Sequence, residues 1–248
     1  MNAERASDLD SDLRRSLERL AVAHRVLAMD GHNDLTLGHM SFRDPHGRGL
    51  WLKKSQRGLN EVFGSDDYVL LDFEGRQLAQ PGDCHSEWPI HAEIMKVRPD
   101  VNAIGHTHAR YSVLFSAAEE ELCAFNHEGA NLLGNLARFR ETAGLINTVP
   151  LGQALARCLG QVSVVLMKNH GITFVGRTIE EATMFGICME RACRSQIEMA
   201  ATGWNWTTPT EAGYDRKMSG GISGTNYHVQ FFDYFARTLA RMEGKRAS

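Results

Sequence analysis

Along the first thirty residues, apolar positions recur with helical spacing. Leu13, Leu17, Leu20 and Leu27 share one face from about Ser11, and Asp30-Gly31 ends the pattern. From Met40 to Leu78 the pattern changes. Short runs such as Met40-Ser41-Phe42 and Tyr68-Val69-Leu70-Leu71-Asp72-Phe73 are separated by Asp44-Pro45-His46-Gly47 and Glu74-Gly75, which predicts strands joined by turns. A helix is predicted over Pro89 to Val97, with Ile90, Ile94 and Val97 on its apolar face; a proline near the start removes an N–H that would lack a partner there. Arg98-Pro99-Asp100 breaks it. Val101 to His108 predicts a strand, Tyr111 to Glu121 a helix, and Val162 to Phe174 a hairpin-like pair around Lys168-Asn169-His170-Gly171. The clearest helix follows. Thr178 and Glu181 match a capping box, Ile179, Ala182, Phe185, Met189, Ala192 and Gln196 line one side, and Gly203 marks the stop. Gly213, Gly220, Gly221 and Gly224 mark a loose stretch at about 203–226, before a last helical segment over Phe231 to Met242. No repeat or linker divides the 248 residues, so one α/β domain is expected.

Composition narrows the function classes. The chain is 43% hydrophobic and 23% charged, which is globular rather than disordered, and its net charge of −3 gives no overall basic field for nucleic acid or anionic lipid. No apolar run approaches the roughly 20 residues that span a bilayer. The polar start Met1-Asn2-Ala3-Glu4-Arg5 has no signal-peptide core, and the five cysteines (Cys84, Cys123, Cys158, Cys188, Cys193) are scattered, so the expected location is the cytoplasm.

The candidate chemistry lies in the histidines. His106-Thr107-His108 ends a predicted strand, where side chains two apart project to the same side and can meet one ion. His170 sits at a strand-to-turn junction between Asn169 and Gly171, and Glu87 lies in His85-Ser86-Glu87-Trp88-Pro89 at a helix entrance. Three neutral imidazoles and a carboxylate suit zinc or another first-row divalent ion. A bare H-x-H is equally a pair of surface or capping histidines, and spacing alone leaves both readings open. His24 reads as an ordinary residue of the first helix, and His91 as facing its own helix neighbours or supporting Glu87.

These residues resemble the class II aldolase and adducin-head superfamily over roughly Leu13 to Ala201. The likeness is carried by Ser86-Glu87-Trp88-Pro89-Ile90-His91, by Arg98-Pro99-Asp100-Val101-Asn102-Ala103-Ile104-Gly105-His106-Thr107-His108, and by Lys168-Asn169-His170-Gly171 with Val175-Gly176-Arg177-Thr178-Ile179-Glu180-Glu181-Ala182. The resemblance implies a central, largely antiparallel sheet covered by helices. It also implies one divalent ion per subunit, zinc before manganese, bound by His106, His108 and His170, with Glu87 as ligand, acid-base group or each in turn. A homotetramer with active sites between subunits is implied as well. Adducin-like members have lost the metal set, which this chain keeps, so a non-catalytic binding module is the most distant reading.

Superfamily enzymes acting on sugar phosphates hold the phosphate in hydroxyl- and glycine-rich loops. Here Gly38-His39-Met40-Ser41, Lys53-Lys54-Ser55-Gln56-Arg57-Gly58 and His85-Ser86 stand in those places. His39, Ser41, Lys53, Lys54, Arg57, His85 and Ser86 are therefore the expected substrate contacts, with Lys and Arg suited to a carboxylate. Lys53, Lys54 and Arg57 also read as a solvated edge. Gly38 to Pro45 and Phe125-Asn126-His127-Glu128-Gly129-Ala130 resemble the branch of metal-dependent decarboxylases of hydroxylated aromatic acids. That resemblance favours a decarboxylase of a hydroxylated aromatic dicarboxylic acid over an aldolase or epimerase of a sugar phosphate or hydroxy-ketoacid. Glu87 is the first candidate to protonate the product, with His127, Tyr227 and His228 in reserve; His127-Glu128 reads also as a capping pair and Tyr227-His228 as tail packing.

Overall fold

Asp10 accepts hydrogen bonds from the backbone N–H groups of Asp12 and Leu13 (3.0 and 2.8 Å) and so starts the first helix, α1 (Ser11–Leu27). In this computed structural model the described residues are 9–124, 126–208 and 225–244, the side chains of 225 and 226 excepted. The helix runs into a wide turn at Ala28–His32, where Gly31 takes φ 94°, matching the stop expected at Asp30-Gly31.

Eight strands follow: β1 (His39–Arg43), β2 (Leu50–Lys53), β3 (Tyr68–Leu71), β4 (Gln77–Ala79), β5 (Ala103–Thr107), β6 (Leu136–Phe139), β7 (Val164–Met167) and β8 (Gly171–Gly176). They form one sheet in the order β4-β3-β2-β1-β5-β8-β7-β6. Every neighbouring pair is antiparallel except β6–β7. The remaining helices are α2 (Trp88–Val97), α3 (Arg110–Ala117), the short α4 (His127–Ala130), α5 (Val149–Leu159), α6 (Ile179–Ala201) and α7 (Thr225–Met242). The expected largely antiparallel sheet covered by helices is what folds.

Alternation along the strands divides the core in two. Leu50, Leu52, Val69, Leu71, Ile104, Val165 and Met167 face Ile90 and Ile94 of α2 and Leu155 of α5. Met40, Trp51, Leu70, Val164, Leu166 and Phe174 face α1, α6 and α7 on the other side. Both faces are covered, so β2, β3 and β7 read as nearly continuous apolar runs, while β1 and β5 carry buried polar residues such as His39, Ser41 and His106. The predicted strands, the hairpin around His170 and the 179–201 helix are all present. Two expectations need correction. The helix expected over Tyr111 to Glu121 stops at Ala117, because Ala118 turns extended and the Arg138 guanidinium takes the carbonyls of Ala118 and Glu120. The last helix begins at Thr225 rather than near Phe231, which brings Tyr227 and His228 into it. Most of the stretch expected to be loose, 209–224, lies outside the described residues, as does Phe125.

Buried polar groups position the elements. His24, expected to be an ordinary helix residue, is fully buried; its Nδ1–H donates to the Leu20 carbonyl (2.8 Å) and its Nε2 accepts from the Met40 N–H (3.1 Å), joining α1 to β1. The Arg43 guanidinium donates to the carbonyls of Met95 and Arg98 (both 2.9 Å) and Val101 (3.0 Å), fastening the end of α2 to β1. Arg98 in turn grips Asp100 through two 2.8 Å bonds.

Burial pushes His24, His32 and His91 down from the ordinary 6.5 to about 3, so the folded chain holds them neutral. Unfolded, each takes up a proton below about 6.5. Stability is then full above that pH and is lost as pH falls towards 3, by about 1.4 kcal/mol per pH unit for each proton involved. Urea midpoints should be level above pH 7 and decline steeply below 6.5; a midpoint constant from pH 7 to 4.5 contradicts this account.

Candidate metal centre

The β5–β8 register sets His106 opposite Thr173, on the sheet face that α2 covers. His108 lies two residues on, just past the strand end. The turn between β7 and β8 swings His170 to the same place, with Asn169 in the left-handed region at φ 54°. Gly171 is required there: a Cβ would stand 2.4 Å from the Thr107 carbonyl oxygen. Glu87 enters from the other layer, at the N-cap of α2.

One ligand atom from each of Glu87, His106, His108 and His170 lies within 4.8 Å of all the others. His106 Nε2 is 3.1 Å from His108 Nε2 and 3.5 Å from Glu87 Oε2, and His170 Nε2 is 3.8 Å from Glu87 Oε1. A tetrahedral ion with ligands at 2.0–2.2 Å sets its donors about 3.4 Å apart. The spacing fits. The tautomers fit too, since His106 Nδ1–H donates to the Ile172 carbonyl (3.0 Å) and His108 Nδ1–H to Asp34 Oδ2 (3.0 Å). Each therefore aims a lone pair, not a proton, at the shared space, as metal-binding imidazoles do.

Burial keeps the imidazoles neutral and ready to bind. His106 is held well below its usual range by burial first, then by His108, His170 and His91, against the opposing Ile172 carbonyl. Burial, then His108, lowers His170 to about 4, and burial lowers His108 despite Asp34. The buried Glu87 carboxyl is raised by burial, which outweighs the 2.8 Å hydrogen bond from the Ile146 N–H.

His39 lies at the edge of this cluster, its Nε2 4.0 Å from Glu87 Oε2, with His85 packed on it at 4.3 Å between ring centroids. His91 does not face its helix neighbours; it bonds His39 and Ser41, 2.7 Å each. The solvated-edge reading fails for Lys53. Its buried ammonium is taken by the carbonyls of Thr36, Lys54 and Arg57, and burial lowers it to about 8 despite Glu61. Lys54 donates to the Asp66 carbonyl (2.6 Å), Arg57 stays half exposed with Nε 3.4 Å from Asp67 Oδ1, and Ser86 is exposed.

The described chain does not gather the reserve groups here. His127 is exposed at the start of α4, where Asn126, not His127, caps by accepting from the Gly129 N–H. Tyr227 packs on Phe231 (3.8 Å between centroids), and His228 packs on Phe185 of α6 (5.2 Å). Sequence reasoning missed Asp34 and the backbone of Ile146 and Ile172. Asp34 lies 74 residues from His108, with nothing local to mark it.

The family model described as Class II Aldolase and Adducin N-terminal domain matches residues 18–197. A 3,4-dihydroxyphthalate decarboxylase of Arthrobacter keyseri is 28% identical, over 75% of this chain and 79% of that one. A 5-methylthioribulose-1-phosphate/5-deoxyribulose-1-phosphate aldolase of Rhodospirillum rubrum is 31% identical, over 69% of this chain and 78% of its own. The crystal structure of an aldolase II superfamily protein from Pseudomonas syringae superposes with a TM-score of 0.84 at 23% identity, covering 95% of this chain and 96% of that one, and so shares the fold.

Replacing His106, His108 or His170 by Ala should each abolish stoichiometric zinc binding in the folded protein. Elemental analysis that finds full metal in two of the three variants contradicts the ligand set.

Proposed function

The chain belongs to the class II aldolase and adducin N-terminal domain family, and on that premise we propose a metal-dependent carbon–carbon lyase that decarboxylates a hydroxylated aromatic dicarboxylic acid. The observation that carries the lyase reading is the pair of Nε2 lone pairs of His106 and His108, 3.1 Å apart, with His170 and the Glu87 carboxyl closing the set. The described helices include none long and apolar enough to cross a membrane, and all five cysteines are free. Both facts accord with a cytoplasmic enzyme.

In this reading His106, His108, His170 and Glu87 hold the divalent ion, zinc before manganese. The bound ion supplies a Lewis acid for the oxygen beside the breaking bond. In this reading Lys54 and Arg57, with His85 and Ser86, bind a second carboxylate; Lys53 shapes their loop through its carbonyl partners. Carbon dioxide leaves with its carbon, the bonding electrons stay on the ring, and one proton must arrive there. On the same reading Glu87 serves as ligand and acid-base group in turn and delivers it, and burial raises its carboxyl above the ordinary carboxylate value. His127 stays in reserve, and in this reading Tyr227 and His228 come from a neighbouring subunit. The exposed Leu35, Leu37 and Phe63, the first two just after Asp34 in the chain, accord with the homotetramer proposed here.

Aldol cleavage is the second reading. It is supported by the likeness to the Rhodospirillum rubrum aldolase, and it needs the same metal and the same stabilised electron pair.

Zinc-loaded protein offered a panel of ortho-hydroxy aromatic dicarboxylates, 3,4-dihydroxyphthalate among them, should release carbon dioxide. Glu87→Gln should slow turnover by about a hundredfold or more. Light scattering on the same preparation should report a tetramer; a fully active 27.7 kDa species contradicts that part. Aldehyde release from a sugar phosphate or hydroxy-ketoacid, with no carbon dioxide from any panel acid, returns the chain to the aldolase reading.

A further inference from the structure

Helix α2 and strand β1 set a row of polar side chains behind Glu87. Glu87 and His91 are four residues apart along α2, about 6 Å of rise, and His39 and Ser41 are two apart on one face of β1, about 6.7 Å. The two repeats nearly match, so the helix and strand stay in step. His39 Nδ1 lies 2.7 Å from His91 Nε2, and His91 Nδ1 lies 2.7 Å from Ser41 Oγ. All three residues are wholly buried. Both nitrogens of His91 are used. The remaining nitrogen, His39 Nε2, is buried without a partner and stands 4.0 Å from Glu87 Oε2. The β1–β5 register puts His39 directly opposite His106, their ring centroids 5.3 Å apart.

Each link in this chain carries one proton, so only two orders are consistent. The protons run either towards Ser41, leaving a lone pair on His39 Nε2, or towards Glu87, leaving an N–H there. A carboxylate 4.0 Å away favours the N–H, and the Ser41 hydroxyl can donate to His91 Nδ1 to start that order. Free rotation of His39 is prevented because its Nδ1 is tied to His91.

We propose that Ser41, His91 and His39 form a directed hydrogen-bond chain that presents His39 Nε2–H beside Glu87 as the donor to an anionic oxygen of the substrate. His39 makes the contact, and His91 is the positioning residue that selects the tautomer. The inference deepens the lyase reading above, since a departing carboxylate, a phenolate and an enolate all bring such an oxygen.

The test uses zinc-loaded protein carrying isotope-labelled histidine, with His39 resonances assigned by comparison with His39→Gln. Nuclear magnetic resonance distinguishes a ring nitrogen that bears hydrogen from one that does not. His39 should carry its proton on Nε2 in the parent, and His91→Phe should populate both tautomers. His91→Gln, which can still bond His39, should restore the parent form. Phthalate, which keeps both carboxylates but has no hydroxyl, serves as the binding probe in calorimetry. Its affinity should fall about ten- to a hundred-fold in His39→Phe, with zinc content unchanged. A His39 proton on Nδ1 in the parent overturns the proposal. So does a His91→Phe protein with unaltered His39 tautomer, or a His39→Phe protein that binds its anion as the parent does. If phthalate does not bind but dihydroxyacetone phosphate does, with the same dependence on His39, the aromatic-acid reading fails and the directed chain stands.

Discussion

Two imidazole nitrogens whose protons are committed elsewhere face each other 3.1 Å apart in the middle of this protein. Left alone, the lone pairs of His106 and His108 repel. The arrangement becomes favourable when a cation occupies the shared space, which turns that repulsion into two bonds. The rest of the structure can be read as what makes this arrangement hold. The Ile172 carbonyl and Asp34 remove the protons from the facing nitrogens, and burial removes the alternative of charging the rings.

The elements that carry the cluster come from distant parts of the chain, and each is held by buried polar contacts rather than by apolar packing alone. Arg43 ties the end of α2 to β1 and so fixes where Glu87 and His91 stand relative to His39. Gly171 lets the β7–β8 turn close against Thr107, which brings His170 within reach of Glu87. Glu190, also buried, accepts the N–H groups of Tyr111 and Ser112 and the Ser112 hydroxyl, anchoring the helix that follows His108 to α6. A sheet covered on both faces leaves the strand ends as places where polar ligands can gather without opening the core. The antiparallel order β1-β5-β8 puts His39, His106 and His170 on three adjacent segments at one such end.

Much of this was legible in the sequence because it depends on local periodicity. The H-x-H spacing at a strand end, the hairpin bend at Asn169-His170-Gly171 and the proline-marked start of α2 all follow from rules about one element at a time. They located the four candidate ligands. What stayed hidden depends on pairing between elements. Lys53 read as a substrate contact or a solvated-edge cation because nothing near it in sequence shows that three carbonyls enclose its ammonium. His24 read as an ordinary helix residue and His91 as facing its helix neighbours or supporting Glu87, yet His24 reaches β1 through Nε2 and His91 through both ring nitrogens. Asp34 sits in a loop whose closure onto His108 is a tertiary event. The family membership accounts for the sheet, and the His/Glu cluster accords with the divalent metal that class II aldolases use.

The account stands or falls on whether one ion sits among these four side chains. X-ray absorption at the zinc edge of the loaded protein measures that directly. Three imidazole nitrogens and one carboxylate oxygen at about 2.0–2.2 Å are the predicted shell, lost from the spectrum as each of His106, His108 and His170 is replaced. A shell with fewer than three imidazoles, or one unaltered by those replacements, contradicts it.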